Sequence, residues 1–295
     1  MAIERIIDKR AHDLGGGFEV GRVLPFHARR MVGPFTFFDQ MGPADLEPGF
    51  PRAMDVRPHP HIGIATVTYL FDGALTHRDS VGVTQEIRPG DVNWMITGSG
   101  ITHSERFEHA RELGARMHGI QAWVALPTEF EEVDPSFHHL HGAQQLPTWQ
   151  EPGLRGRLIA GSAEGMASAV PVHSPQFYMH WDMDAGASRT LPAEYSERAV
   201  YVASGSAEVA GQRLESGQMA VLAGGRDVRV DALTAATVMV LGGEPVGPRF
   251  MLWNFVSSSK ERVEEAKADW IAGRMKLPDA DDQEFTPFPD GRAYS

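Results

Sequence analysis

Apolar and polar residues alternate over short stretches of this chain, and glycine closes nearly every stretch. ATVTYLF ends in DG, ALTHRDS in VG, VTQEIR in PGD, and VNWMI in TGSG, all between Ala65 and Gly100. Runs of this length with two-residue alternation and glycine turns predict an antiparallel sandwich or barrel. Helical spacing is nearly absent before SSSKERVEEAKADWIAG. There Ser258 and Glu261 have capping-box spacing, and Val263, Ala266, Trp270 and Ile271 are expected on one face, with Gly273 as the stop. The remainder, LPDADDQEFTPFPDGRAYS, is acidic and proline-rich and reads as an extended tail.

The β pattern occurs twice. YLFDG (Tyr69 to Gly73), PGD (Pro89 to Asp91) and VNWMITG (ending at Gly98) are echoed by YVASG (Tyr201 to Gly205), SGQ (Ser216 to Gln218) and MAVLAG (ending at Gly224). Two copies of one β-unit account for the echo, and a shared rhythm of β-turns is the simpler competing explanation. The stretch LHGAQQLPTWQEPG, rich in Pro, Gly and Gln, marks the expected link, giving domains 1–140 and 141–295.

Composition narrows the chemistry. At 295 residues the chain has room for two domains, and 22% charged residues is ordinary for a globular protein. Nothing approaches the roughly 18 consecutive apolar residues of a membrane helix, and the start lacks the apolar core of a secretory signal, so a cytoplasmic protein is expected. With no cysteine, disulfides, thiolate ligands and a Cys nucleophile are all excluded, and any metal must rest on His and carboxylate. A net charge of -12 repels phosphate backbones, so direct nucleic-acid binding is not expected.

Residues i and i+2 of a strand share a face. His59 and His61 in RPHPHIG have this spacing, and Pro58 and Pro60 keep the preceding residues out of the helical region. ITHSE supplies a second such pair, His103 and Glu105, and the intervening strands of a small barrel could bring the pairs together. Three imidazoles and one carboxylate without sulfur suit Fe, Mn, Co, Ni, Cu or Zn, and contain the two-His, one-carboxylate set of non-haem Fe(II) oxygenases. A six-coordinate ion would keep two open positions, whereas tetrahedral zinc would be filled and structural. The plainer reading makes RPHPHIG a stiff turn and Glu105 a solvated acid.

Other histidines fit less well. His139 and His141 of FHHLH are expected at the surface or in the link, and His77, His118 and His180 are expected as hydrogen-bonded structural groups. In THRDS, Asp79 stands two residues after His77 and either adds polarity next to the site or builds a tight turn. Trp94, Met95 and Trp123 read as core residues.

RPHPHIGIATVTYLFDG, THRDSVG, IRPGDVNWMITGSGITHSE and QAWVALP resemble the pirin family, a branch of the bicupins, and GEPVGPRF with ERVEEAKADW resembles its C-terminal segment. The resemblance implies an all-β fold of two cupin-type antiparallel barrels with a short C-terminal helix. It implies one metal ion, in the N-terminal barrel alone, usually iron, on residues matching His59, His61, His103 and Glu105. The counterparts of His59 and His61 in the second copy, counted back from Tyr201, are Leu191 and Ala193. One departure stands out: the acid that cupins and many pirins carry on the first strand is replaced here by Ala65 and Thr66. Family members that resemble quercetin 2,3-dioxygenases imply a flavonol-like substrate, with Glu105 as general base. The resemblance equally implies an alternative, an iron- and redox-responsive regulator acting through protein partners. A structural zinc protein is the third reading.

Overall fold

The computed structural model describes residues 2–14 and 17–289, so the last six residues of the expected tail, 290–295, lie outside it. Two compact units are present. One comprises Met1–Ala11, Gly21–Gln40 and Leu140–Pro245, the other His12–Val20, Met41–His139 and Val246–Ser295. The main junction, His139/Leu140, lies beside the division suggested by the sequence, but neither unit is continuous. The first strand, Ile3–Asp8, pairs antiparallel with Gln218–Leu222 through Ile6 and Ala220, so it belongs to the C-terminal unit. The final helix belongs with the metal-ligand candidates, because Ile62, Trp253, Phe255, Val263, Ala266 and Trp270 bury one another in a single cluster.

The unit that contains His59 holds a four-stranded sheet in the order Val56–His61, Ile101–Arg106, Leu75–Asp79, Thr84–Ile87. Its second sheet sets Val92–Ile96, Ile64–Asp72 and Ala115–Ala125 side by side. Every one of these pairings is antiparallel. Leu70, Leu75, Ile87, Phe107 and Met117 form an apolar cluster in this unit. Fully burying such a side chain contributes about 1.5–3 kcal/mol.

The other unit repeats the plan. Seven strands run in the order Ile3–Asp8, Gln218–Leu222, Glu197–Ser204, Ala236–Gly243, Gln176–Met183, Leu154–Ala163, Thr148–Glu151, and four run Ser188–Leu191, Val228–Ala232, Ser206–Val209, Gln212–Glu215. The repeated tyrosines occupy matching strand pairs, Tyr69 opposite Val92 and Tyr201 opposite Met219. Both copies are cupin units, and the protein is an all-β bicupin with a short C-terminal helix. Among the described residues no helix is long and apolar enough to cross a membrane.

The helix runs Lys260–Ile271, one residue later than the cap expected from the sequence. Ser259 is the N-cap, accepting from the Arg262 amide at 3.2 Å, because the Ser258 hydroxyl and amide are taken by the Glu131 carboxylate. Val263, Ala266 and Trp270 are buried, but Ile271 is 63% exposed, since it falls about a quarter-turn beyond their stripe. Gly273, at φ 68°, ends the helix in the left-handed conformation that glycine adopts without penalty.

Candidate metal centre

The Val56–His61 strand lies against Ile101–Arg106 with His59 directly opposite His103 and His61 opposite Ile101. Between His103 and Glu105 the register jumps from His59 to Val56, so Arg57 and Pro58 together face one residue. This is a bulge, placed where Pro58 has no N–H to give to the ladder. The bulge turns the Arg57 carbonyl inward, where it accepts from His59 Nδ1 at 2.8 Å. A carbonyl only accepts, so the His59 proton is on Nδ1 and Nε2 keeps its lone pair.

His59, His61 and His103 each bring one ring nitrogen to within 4.8 Å of the others. Their ring centroids are 4.4–5.1 Å apart. All three are buried, at 8%, 1% and 1% exposure. Burial holds each imidazole in its neutral form, lowering His59 to about 4 and His61 and His103 well below their usual value; neighbouring imidazoles add to the effect at all three. Neutral imidazole is the form that ligates metal. His61 Nδ1 and His103 Nε2 are buried ring nitrogens without a hydrogen-bond partner. Leaving such atoms unsatisfied costs about 1–3 kcal/mol each, and one cation among the three rings would satisfy them. The residues therefore fit a metal ion, with the His61 ring packed roughly perpendicular to Trp123, centroids 5.0 Å apart.

Glu105, two residues beyond His103 on the same strand, is not among the side chains whose ligand atoms gather within 4.8 Å of one another. Its Oε1 accepts from Thr68 Oγ1 at 3.2 Å, and that hydroxyl is also 2.8 Å from Gln121 Oε1. The side chain is 7% exposed, and burial raises its carboxyl to about 7, opposed by the Thr68 hydrogen bond. Thr68 and Gln121 are cross-strand neighbours on the second sheet, and sequence spacing gave no sign of them.

Alternate residues of Ile101–Arg106 have different tasks. His103 and Glu105 carry the candidate ligands, whereas Ser104 and Arg106 hold the C-terminal tail. Ser104 Oγ donates to Asp281 at 2.6 Å, Arg106 grips the same carboxylate at 2.7 and 2.8 Å, and Arg106 also reaches Glu284. Farther along, the Thr286 amide donates to Pro58 O at 2.8 Å, at the bulge. The tail residues Lys276 to Thr286 thus lie against both ligand strands, a folded role that acidic, proline-rich composition did not indicate.

His77 Nε2 is 2.9 Å from Asp79 Oδ2, and Asp79 Oδ1 accepts from the amides of Val81 and Val83, so Asp79 both partners His77 and builds the turn. His118 is buried against Phe71, and His180 pairs with Asp182. His139 is half-buried, not at the surface, with Nδ1 2.7 Å from Asn93 Oδ1; His141 is exposed. Trp94 and Met95 are core residues at 1% exposure. In the other unit the strand matching Val56–His61 is Ser188–Leu191, and its Leu191 joins Val228, Val230 and Trp181 in an apolar cluster.

Comparison with known proteins gives this architecture a family. The pirin family model matches residues 17–124, and the pirin C-terminal cupin domain matches 178–276. A pirin-like protein of Caulobacter vibrioides is 64% identical over 288 residues, covering 98% of this chain and 100% of that protein. A Pseudomonas aeruginosa protein with the provisional name quercetin 2,3-dioxygenase is 37% identical over 280 residues, covering 92% and 84%. The crystal structure of a quercetin 2,3-dioxygenase from Acinetobacter baumannii superposes with a TM-score of 0.89 at 30% identity, covering 98% and 97%. The chain belongs to the pirin family.

Proposed function

We propose that this protein is a metal-dependent dioxygenase that opens the central ring of a flavonol-like substrate. The observation that carries the reading is the cluster of His59, His61 and His103, held neutral by burial, with two ring nitrogens lacking partners. Relatives named as quercetin 2,3-dioxygenases support the substrate class. The ion is Fe(II), for which imidazole with carboxylate is a suitable donor set; Zn, Mn, Ni, Co and Cu are the other ions this set accommodates. Glu105 completes the site as fourth ligand and as the base. The setting is the cytoplasm.

When bound, a divalent ion would offer open coordination positions and favour ionisation of a phenolic hydroxyl. The chain supplies the rest. Glu105, ionised beside the cation, would take the flavonol 3-hydroxyl proton, and Thr68 donates to its Oε1. Trp123 offers a flat apolar wall beside His61. In the overall reaction both atoms of dioxygen enter the product and carbon monoxide leaves.

The test is aerobic incubation of iron-loaded protein with quercetin, following flavonol loss and carbon monoxide against His103→Ala. Turnover well above the variant is expected. Turnover equal to the variant overturns the flavonol reading, and a parent protein that retains no metal overturns the metal reading as well.

A further inference from the structure

His103 is the one candidate ligand whose second ring nitrogen meets another side chain and not a carbonyl. Its Nδ1 is 3.3 Å from His77 Nδ1, and His77 Nε2 is 2.9 Å from Asp79 Oδ2. On the ladder His103 is directly opposite Asp79, and Glu105 opposite His77. His77 and Asp79 are 3% and 1% exposed, and Phe137 stacks on the His77 ring at 4.4 Å and 21°. The amides of Val81 and Val83, 3.1 and 3.0 Å away, both donate to Asp79 Oδ1.

We infer that the Asp79–His77 pair is a tautomer lock that sets which nitrogen of His103 faces the metal. The inference rests on the metal reading above. A carboxylate only accepts, so His77 carries its proton on Nε2 and presents Nδ1 as an acceptor. His103 must then carry its proton on Nδ1, and its lone pair falls on Nε2. That atom is the one buried without a partner. Hydrogen-bonding to the far nitrogen of a ligand histidine fixes ring orientation and increases ligand basicity, typically changing metal affinity 10- to 100-fold. Asp79 and His77 are positioning residues; neither touches the ion.

The geometry provides a nearly isosteric inversion. In Asp79→Asn the Val81 and Val83 amides still require an oxygen, which directs the new NH2 group toward His77 Nε2. His77 Nδ1 then becomes the donor, and the His103 proton moves to Nε2, closing the ligand position. His77→Gln retains the polarity, since its amide can donate to Asp79 and accept from His103. His77→Phe retains a ring against Phe137 but offers no acceptor.

The experiment has two readouts on full-length chains. Fe(II) affinity is measured anaerobically by chelator competition, and imidazole 15N spectra of the metal-free chains report the His103 tautomer. Expected results are about a 10- to 100-fold loss of Fe(II) affinity for Asp79→Asn, with His103 protonated on Nε2, and affinity within about threefold of the parent for His77→Gln. His77→Phe should bind at least tenfold more weakly than His77→Gln, a contrast that stands even if Asp79→Asn does not fold. Unchanged affinity and tautomer in Asp79→Asn, or equal affinity of the two His77 variants, overturns the lock while the metal reading stands. A parent chain that binds no Fe(II) overturns the metal reading and the lock with it.

Discussion

His59 and His103 arrive at one chemical state, a neutral ring with Nε2 free, by different means. His59 uses the carbonyl two residues before it, freed by the Pro58 bulge, and His103 uses a partner strand. The first arrangement is legible in RPHPH, because proline spacing dictates the backbone; the second is legible only as a hint in THRD, since pairing register is a tertiary fact. Glu105 is legible as a same-face partner of His103, but its raised carboxyl follows from burial next to Thr68, which no local pattern reveals. In metal-free protein the sign is definite. The carboxyl is higher when folded, so the native state holds the extra proton and stability declines as pH rises from about 4.5 through about 7. Glu105→Gln should therefore match the parent near pH 5 and exceed it by about 2–3 kcal/mol at pH 8, measured by urea unfolding of chelator-treated chains. His59 has the opposite dependence: lowered to about 4, it leaves stability intact above 6.5 and erodes it as pH falls toward 4. If Glu105 also ligates, Fe(II) binding at pH 6 should release about one proton, read by calorimetry in buffers of different ionisation enthalpy.

At the scale of elements, the ligand strands are pinned at their ends and along their outer edges. Gly63, two residues after His61, sits at φ 69°, and a Cβ there would lie 2.0 Å from Val256 O. Gly63→Ala combines left-handed strain with a backbone clash and should destabilise by at least ~2 kcal/mol, read as a shifted urea midpoint at unchanged slope. The tail is the second pin. Asp281→Ala would leave the buried Arg106 without its principal carboxylate, at a loss of about 3 kcal/mol. Because Arg106 neighbours Glu105 on the same strand, that variant should also bind Fe(II) more weakly; full stability and full affinity together would show that the tail is mere covering. Strand alternation was readable for these elements. The tail's place was not, since a proline-rich acidic segment folds here through specific partners, Ser104, Arg106 and Pro58, scattered far upstream.

For the whole molecule, duplication was readable and the exchange of terminal segments was not. The echo of YLFDG in YVASG reports local turn chemistry, which a sequence displays directly. That Ile3–Asp8 completes the C-terminal sheet, and that Lys260–Ile271 packs with Trp253 near the first barrel's ligand strand, depends on long-range pairing. The two copies also diverge in what fills them. Three buried candidate ligands line one, whereas Leu191, Val228 and Trp181 fill the other with the apolar packing a closed core requires. Metal should consequently stabilise through one unit only. A ligand that binds the native state alone at a thousand times its dissociation constant stabilises by about 4 kcal/mol. Fe(II) at that excess should raise the unfolding temperature of the parent and of Leu191→Ala by similar amounts, although Leu191→Ala itself costs about 2–5 kcal/mol. His61→Ala should abolish the metal-dependent rise, leaving the metal-free transition in place. A rise that survives His61→Ala but vanishes in Leu191→Ala would place the ion in the C-terminal unit, against the distribution of imidazoles between the two barrels.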